Sequence, residues 1–209
     1  MSTQSQNRSK IVQIGDPVLR QNARPLSNEE ILSPYIQHLI HEMTAIMRDA
    51  PGVGLAAPQI GIPIQLIVIE DPKEYHAYLT PEQNKERGRF EVPLHVVINP
   101  YLFIFSEEHQ TAEFYEGCLS VQGFNGVVSR ATSVRVECLN EKAEPVVINA
   151  NGWYARILQH EIDHLNGILY VDRVKTRSLS TPENFEKYWK GKSVSEICDT
   201  LGCEKKLES

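Results

Sequence analysis

Apolar residues recur at helical spacing early in the chain. Tyr35, Ile36, Leu39, Ile40, Met43, Ile46 and Met47 fall on one side of a 3.6-residue repeat. Ser33-Pro34 ahead of them is a capping residue followed by proline at the first helical position. Ala50-Pro51-Gly52 ends the pattern, so a helix is predicted to about Asp49. Met43 and Met47 read as core filler. After Gly61 the period changes. Ile64 to Glu70 is apolar and β-branched, a strand pattern. Val96 to Phe105 repeats it, with Pro100 marking a break or an edge. Val127-Val128, Val134 to Leu139 and Val146 to Ile148 predict shorter strands. Trp153 to Leu165 predicts a second helix, stopped by Asn166-Gly167. Thr181-Pro182-Glu183 opens a third helix through Lys190. Residues 71 to 95 are polar and carry Pro72, Pro81, Gly88 and Pro93, the pattern of a long surface excursion. Strands and helices do not alternate in a βαβ rhythm, so the fold class is α+β.

The chain has 209 residues, enough for one domain with a tail. Its net charge is −6, with 41% apolar and 23% charged residues. That balance argues against disorder and against a dedicated nucleic-acid domain, which would be basic. The longest apolar runs, such as Leu66 to Ile69, are too short for a membrane span. Met1 to Lys10 is polar and is not followed by a signal-type apolar stretch. Its lack of acidic residues leaves an organelle-targeting remnant open. Cys118, Cys138, Cys198 and Cys203 show no paired framework, so reduced thiols are expected.

The sharpest chemical feature is His160-Glu161-Ile162-Asp163-His164. On a helix, residues four apart share a face, so two imidazoles can reach one metal ion. Glu161 can then act on a water beside it. Trp153, Ile157, Leu158, Ile162 and Leu165 would bury this helix, and two buried histidines need partners. A catalytic site of this kind needs a third protein ligand. A third histidine would stand at Tyr170 in one protease pattern, which therefore fails. Glu183 or Glu186 fits a second protease pattern. Cys118, in Glu116-Gly117-Cys118-Leu119-Ser120, offers a thiolate. The segment Gly52-Val53-Gly54-Leu55-Ala56-Ala57-Pro58-Gln59 is neither a Rossmann nor a P-loop fingerprint. Its small residues imply that backbone approaches something closely, and Gln59 offers an amide. Taken alone, a tight turn explains this segment about as well as a site does.

In order and spacing, the three segments resemble the signature motifs of the peptide deformylases. The resemblance runs from about Ile11 to Val174. It implies several antiparallel strands packed around a central metal-binding helix, and removal of the formyl group from N-formylmethionyl chains. It makes Cys118, His160 and His164 the metal ligands and Glu161 the general base and acid. Gln59 and the backbone NH of Leu119 become the donors to the formyl oxygen. The metal implied is one divalent ion, Fe2+ first, with Zn2+, Ni2+ or Co2+ as alternatives. Val53, Phe114, Trp153 and Ile157 are implied as the wall of a methionine pocket with His160 at its base. Backbone near Val53-Gly54 and Glu116-Gly117 would pair with the substrate. Glu116 and Arg130 are expected to pair and hold the Cys118 segment, and Asp163 either orients a ligand or faces solvent. The long excursion resembles plant organelle, mitochondrial and some bacterial members. The expected organisation is a polar arm at 1–10, a catalytic domain at 11–174 and a helical tail at 175–209. The expected partners are formylated nascent peptides, with a ribosome contact near the exit tunnel left open and no nucleic acid or membrane. The expected compartment is the cytoplasm, bacterial first, with an organelle form open. A peptidase with Glu183 or Glu186 as third ligand, and a non-catalytic metal-binding module, are the alternative readings.

Overall fold

The computed structural model describes residues 10–104 and 110–203. Among the described residues, seven strands form two antiparallel units. β1 (Gly54–Ala56), β2 (Leu66–Asp71), β3 (Val92–Phe103), β6 (Ser133–Leu139) and β7 (Pro145–Asn151) make a five-stranded sheet in the order β1-β2-β3-β6-β7. β4 (Thr111–Cys118) and β5 (Val121–Ala131) form a separate hairpin. Two long helices flank the sheet: α2 (Pro34–Asp49), which follows the single turn α1 (Asn28–Ile31), and α4 (Gly152–Leu165). The α+β reading holds.

The sheet is covered on both faces near β2, and that explains why β2 shows no alternation. Leu66 and Val68 pack with Leu39, Met43 and Met47 of α2. Ile67 and Ile69 point the other way, onto Leu158 and Ile162 of α4. A strand buried on both faces reads as a continuous apolar run. Each such aliphatic side chain contributes roughly 1.5–3 kcal/mol on burial. Ala155, Leu158, Ile162 and Leu165 are the sheet-facing stripe of α4 at helical spacing. Its opposite side carries Arg156, Gln159 and Asp163, and these are buried as well. The hairpin covers them. Gln159 exchanges two hydrogen bonds with the backbone of Ala131 in β5, at 2.8 and 3.1 Å. The helix bearing the histidines therefore lies between the sheet and the hairpin.

Three expectations are corrected. Residues 71–95 are not a plain loop: they hold a 3₁₀ segment (Lys73–Tyr78), α3 (Pro81–Glu86) and the start of β3. Buried Asp71 anchors the base through Arg89 at 2.7 Å, and Gly88 lies against Gly152 at the start of α4. β4 and most of β5 were not anticipated. The third helix begins at Pro182 as expected, in α5 (Pro182–Asn184), but continues as a π-helical turn over Phe185–Trp189. An unanticipated helix, α6 (Val194–Leu201), follows, capped by Ser193 and Glu196. The strand expected to reach Phe105 ends at Phe103, and Phe105 and residues 1–9 lie outside the described residues.

Candidate metal centre and active site

Cys118 is the last residue of β4, and the two-residue turn Leu119-Ser120 leads directly into β5. This tight reversal presents the thiol to α4. Cys118 Sγ lies 3.3 Å from His164 Nε2, and the Ser120 NH donates to it at 3.4 Å. His160 stands one helical turn before His164, with ring centroids 5.1 Å apart. The donor atoms of Cys118, His160 and His164 all lie within 4.8 Å of one another. His160 Nδ1 is 3.0 Å from Glu116 Oε2. A carboxylate only accepts, so Nδ1 carries the proton and Nε2 is left with the lone pair that a metal can take. Cys138 and Cys198 are instead absorbed into apolar clusters.

Glu161 is buried beside the histidines. Burial pushes its carboxyl up to about 7, against the opposing pull of the His160 and Arg130 charges. Its Oε2 is buried without a hydrogen-bond partner. Gly54 explains how the carboxylate fits: a Cβ there would sit 2.6 Å from Glu161 Cδ. The small residues in the Gly52–Gln59 segment thus do admit a close approach. A Cβ at Gly52 would likewise lie 2.9 Å from Leu119 Cδ1.

Behind the histidines lies a buried charge network. The expected pair is present: Arg130 Nε and Nη2 donate to the two Glu116 oxygens at 2.8 and 3.0 Å. Sequence reasoning missed the second partner, Arg156, which reaches Glu116 Oε1 at 2.6 Å and the carbonyls of Val128 and Ala112. The available signal was a charge in the apolar flank of the helix. Asp163 does not face solvent; it accepts from Arg130 at 2.6 Å and from Arg173 at 2.7 and 2.8 Å. Burial would raise the Glu116 carboxyl, yet His160 and Arg130 hold it well below the usual carboxylate range.

Gln59 is buried in a 3₁₀ turn (Ala57–Ile60). Its Oε1 accepts from the Ala56 NH at 2.9 Å, closing the turn. That contact leaves Nε2 directed at Cys118 Sγ and Ser120 Oγ, at 3.6 and 3.3 Å. The turn and the site share one side chain.

A cleft of roughly 530 Å³ opens over these groups. Val53, Gly54, Gln59, Glu116, Gly117, Leu119, Trp153, Ile157, His160 and Glu161 all line it. Phe114 does not. It stands two residues before Glu116, roughly 7 Å further along β4. There it backs Trp153 edge-on at 6.2 Å and borders a smaller neighbouring pocket. Glu183 and Glu186 are exposed in the tail, and Glu186 pairs with Lys190. Neither joins the metal cluster found among the described residues. Tyr170 instead packs near His160 and donates to the Phe124 carbonyl.

The donor set fits a divalent cation. It offers a soft sulfur and two imidazoles, the chemistry of first-row transition metals, and three protein donors, the number that open catalytic sites use. An orphaned buried carboxylate oxygen stands beside them. Fold and site together define an α+β protein with a candidate metal centre set in a cleft. The polypeptide deformylase family model matches residues 8–179. The chloroplastic peptide deformylase 1A of Solanum lycopersicum is 49% identical over 176 residues, 84% of this chain and 63% of the relative. Peptide deformylase 3 of Streptomyces avermitilis is 42% identical over 194 residues, 92% of this chain and 83% of the relative. A class I type b peptide deformylase from Acinetobacter baumannii, solved with Met-Ala-Ser bound, superposes with a TM-score of 0.69. It is 36% identical and covers 79% of this chain and 97% of that one. The chain belongs to the peptide deformylase family.

Proposed function

We propose that this protein hydrolyses the formyl amide of N-formylmethionyl polypeptides, releasing formate and a free amino terminus. One observation carries the reading: Cys118, His160 and His164 converge, the first two lining a cleft, with Glu161 buried against Gly54 beside them. Cys118, His160 and His164 would hold the metal, Fe2+ first, with Zn2+, Ni2+ or Co2+ as alternatives. Such a cation, when bound, acts as a Lewis acid and makes water acidic enough to ionise near neutral pH.

The rest is the work of the chain's own side chains. Glu161 takes a proton from the attacking water and returns it to the amine as the C–N bond breaks. Gln59 Nε2 and the Leu119 NH donate to the formyl oxygen as it gains charge. Val53, Trp153, Ile157 and His160 receive the methionine side chain. β1 is at the edge of its sheet and β4 has a neighbour on one side only. Both edges border the cleft, so an extended peptide can add as a strand by backbone bonds that are indifferent to side chains. The Met-Ala-Ser held by the Acinetobacter baumannii relative is the kind of product this reaction leaves. The chloroplastic and bacterial relatives support action where nascent chains begin with formylmethionine, in a bacterial cytoplasm or in an organelle. Among the described residues no helix is long and apolar enough to cross a membrane.

The direct test is formate release from formyl-Met-Ala-Ser by protein loaded with ferrous iron or nickel under reducing conditions. Release is expected from the wild type. Cys118→Ser should lose both metal and activity. A wild type that binds metal at Cys118 and releases no formate would defeat the reading and leave a metal-binding module. Gln59→Glu tests the oxyanion contact. It keeps an acceptor for the Ala56 NH but turns a donor into a carboxylate. We expect kcat to fall by roughly 10² or more, with a smaller change in KM because ground-state binding rests on the pocket and strand pairing. A lower melting temperature with unchanged kcat would assign Gln59 to the turn alone.

A further inference from the structure

A second pocket adjoins the cleft at Phe114. It holds about 230 Å³ between residues 85–88 of the 71–95 excursion, the hairpin and the start of α4. Three guanidiniums line it, those of Arg87, Arg130 and Arg156. Arg87 and Arg156 also line the cleft, so the two spaces share a wall. Two of the three cations have their counter-ions. Arg130 binds Glu116 and Asp163, and Arg156 binds Glu116. Asp163 also serves Arg173, so no carboxylate of that network is left over for Arg87. Among the described residues the Arg87 side chain makes no hydrogen bond or ion pair. Its guanidinium carbon stands 5.0 Å from the centre of the Phe114 ring and 4.9 Å from that of Trp153. Those rings favour its charge but offer no lone pair to its five N–H donors. Burial, with the charges of Arg89 and Arg156 close by, pushes Arg87 down to about 10, and Glu86 opposes this.

The backbone adds to the surplus of donors. α4 is 14 residues long and starts at Gly152, on the pocket wall. Its N-cap residue Asn151 makes no side-chain cap, because that side chain accepts from Ser133 Oγ at 2.6 Å instead. The positive end of the helix thus borders the pocket without a capping oxygen. The next residue, Trp153, carries an indole Nε1 that is buried without a hydrogen-bond partner. Against these donors the pocket lining sets one carboxylate, Glu86, which is exposed beside Lys85. Positive charge held away from water needs an anion. The volume is below the roughly 300 Å³ at which pockets for drug-sized ligands begin, so the anion is small.

We propose that this second pocket is a binding site for a small oxyanion, gripped by Arg87 and Arg156 at the start of α4. A guanidinium fork matches carboxylate or phosphate oxygens two at a time, so formate and inorganic phosphate share the required chemistry. The site does not depend on the deformylase reading, which only makes formate available in the adjoining cleft. The melting temperatures of metal-loaded wild type, Arg87→Met and Arg87→Lys are followed during titration with sodium formate, and separately with sodium phosphate, at fixed pH and ionic strength. An anion bound at the metal stabilises all three proteins alike and cancels in the comparison. At several times the dissociation constant, the wild type should gain about 2–4 °C more than Arg87→Met. Arg87→Lys keeps the charge but loses the fork, so its gain should fall between the two. A larger gain with formate assigns the site to the product set free in the cleft, and a larger gain with phosphate assigns it to an anion from solution. Labelling of the wild type with phenylglyoxal, read by peptide mass, needs no variant. Either anion should slow modification of Arg87 by about fivefold, in step with the free sites that remain, and leave that of exposed Arg48 unchanged. Equal gains in wild type and Arg87→Met with both anions overturn the proposal, and so does Arg87 labelling that neither anion slows. A protein that releases no formate yet shows these effects keeps the oxyanion site and loses the deformylase reading.

Discussion

Glu161→Gln should retain its metal and lose roughly 10²–10⁴-fold in kcat, the usual worth of a positioned general base. The expectation follows from how little else the substitution changes. Glutamine has the same length and fills the same space against Gly54, where no Cβ competes for room. Glu161 is not one of the three donors that converge on the centre, so metal content should stay near one ion per chain. Oε2 has no hydrogen-bond partner in the folded chain, so no protein contact to that atom is lost. What disappears is an acceptor that can take up a proton and give it back. Formate release and metal content measured on the same preparation decide the matter. A variant that keeps its metal and turns over within threefold of the wild type would remove Glu161 from proton transfer.

Most of the candidate site was legible because its geometry depends on spacing. The i, i+4 histidines, the cysteine set in a turn and the glycines ahead of Gln59 are local patterns, and the fold brings them together without altering them. The core helices and β2 were legible for a similar reason, since their burial is carried by apolar residues alone. The hairpin was not. Its inward positions on β4 and β5 include Glu116 and Arg130, which are buried charges. A search for apolar alternation reads such positions as solvent-facing and dissolves the strand. The network that hides β4 from pattern reading stands two residues before the cysteine that the strand carries.

The tail shows a different loss. Ser193 and Glu196 form a capping box, and Thr80 and Gln83 form another at α3. Both are sequence signatures of helix starts, and they mark helices too short for periodicity to register. Phe114 illustrates a third limit. Its apolar character fitted a pocket wall and a second layer equally, and only the strand register puts it behind Trp153. Phe185 and Pro182 reach the cleft through a chain reversal that no local pattern announces.

Replacing Glu116 with glutamine should be the most damaging change to the scaffold. Its carboxylate is the common anion of Arg130, Arg156 and His160, at 2.8, 2.6 and 3.0 Å. All of this lies out of solvent, with the Glu116 side chain 4% exposed and those of Arg130 and Arg156 3% and 5%. Removing one member of a compensated buried pair leaves the other charge without its counter-ion, at a cost of roughly 3–5 kcal/mol. Asp163 still reaches Arg130, at 2.6 Å, but Arg156 keeps only two backbone carbonyls and the faces of the Phe114 and Trp153 rings. The unfolding midpoint in urea should therefore drop by the equivalent of several kcal/mol. Metal affinity should fall as well, by roughly 10–100-fold, since an anionic partner on the far ring nitrogen orients a histidine ligand and strengthens it as a donor. Pairing the change with Arg156→Met removes the stranded cation together with its partner. The double variant should then recover part of the stability lost by Glu116→Gln alone but none of the metal affinity, because His160 still lacks its carboxylate. If Glu116→Gln costs less than about 1 kcal/mol, the level of an exposed ion pair, the network is not what holds β4 against α4. If metal affinity returns with stability in the double variant, the His160 contact is not what tunes the centre.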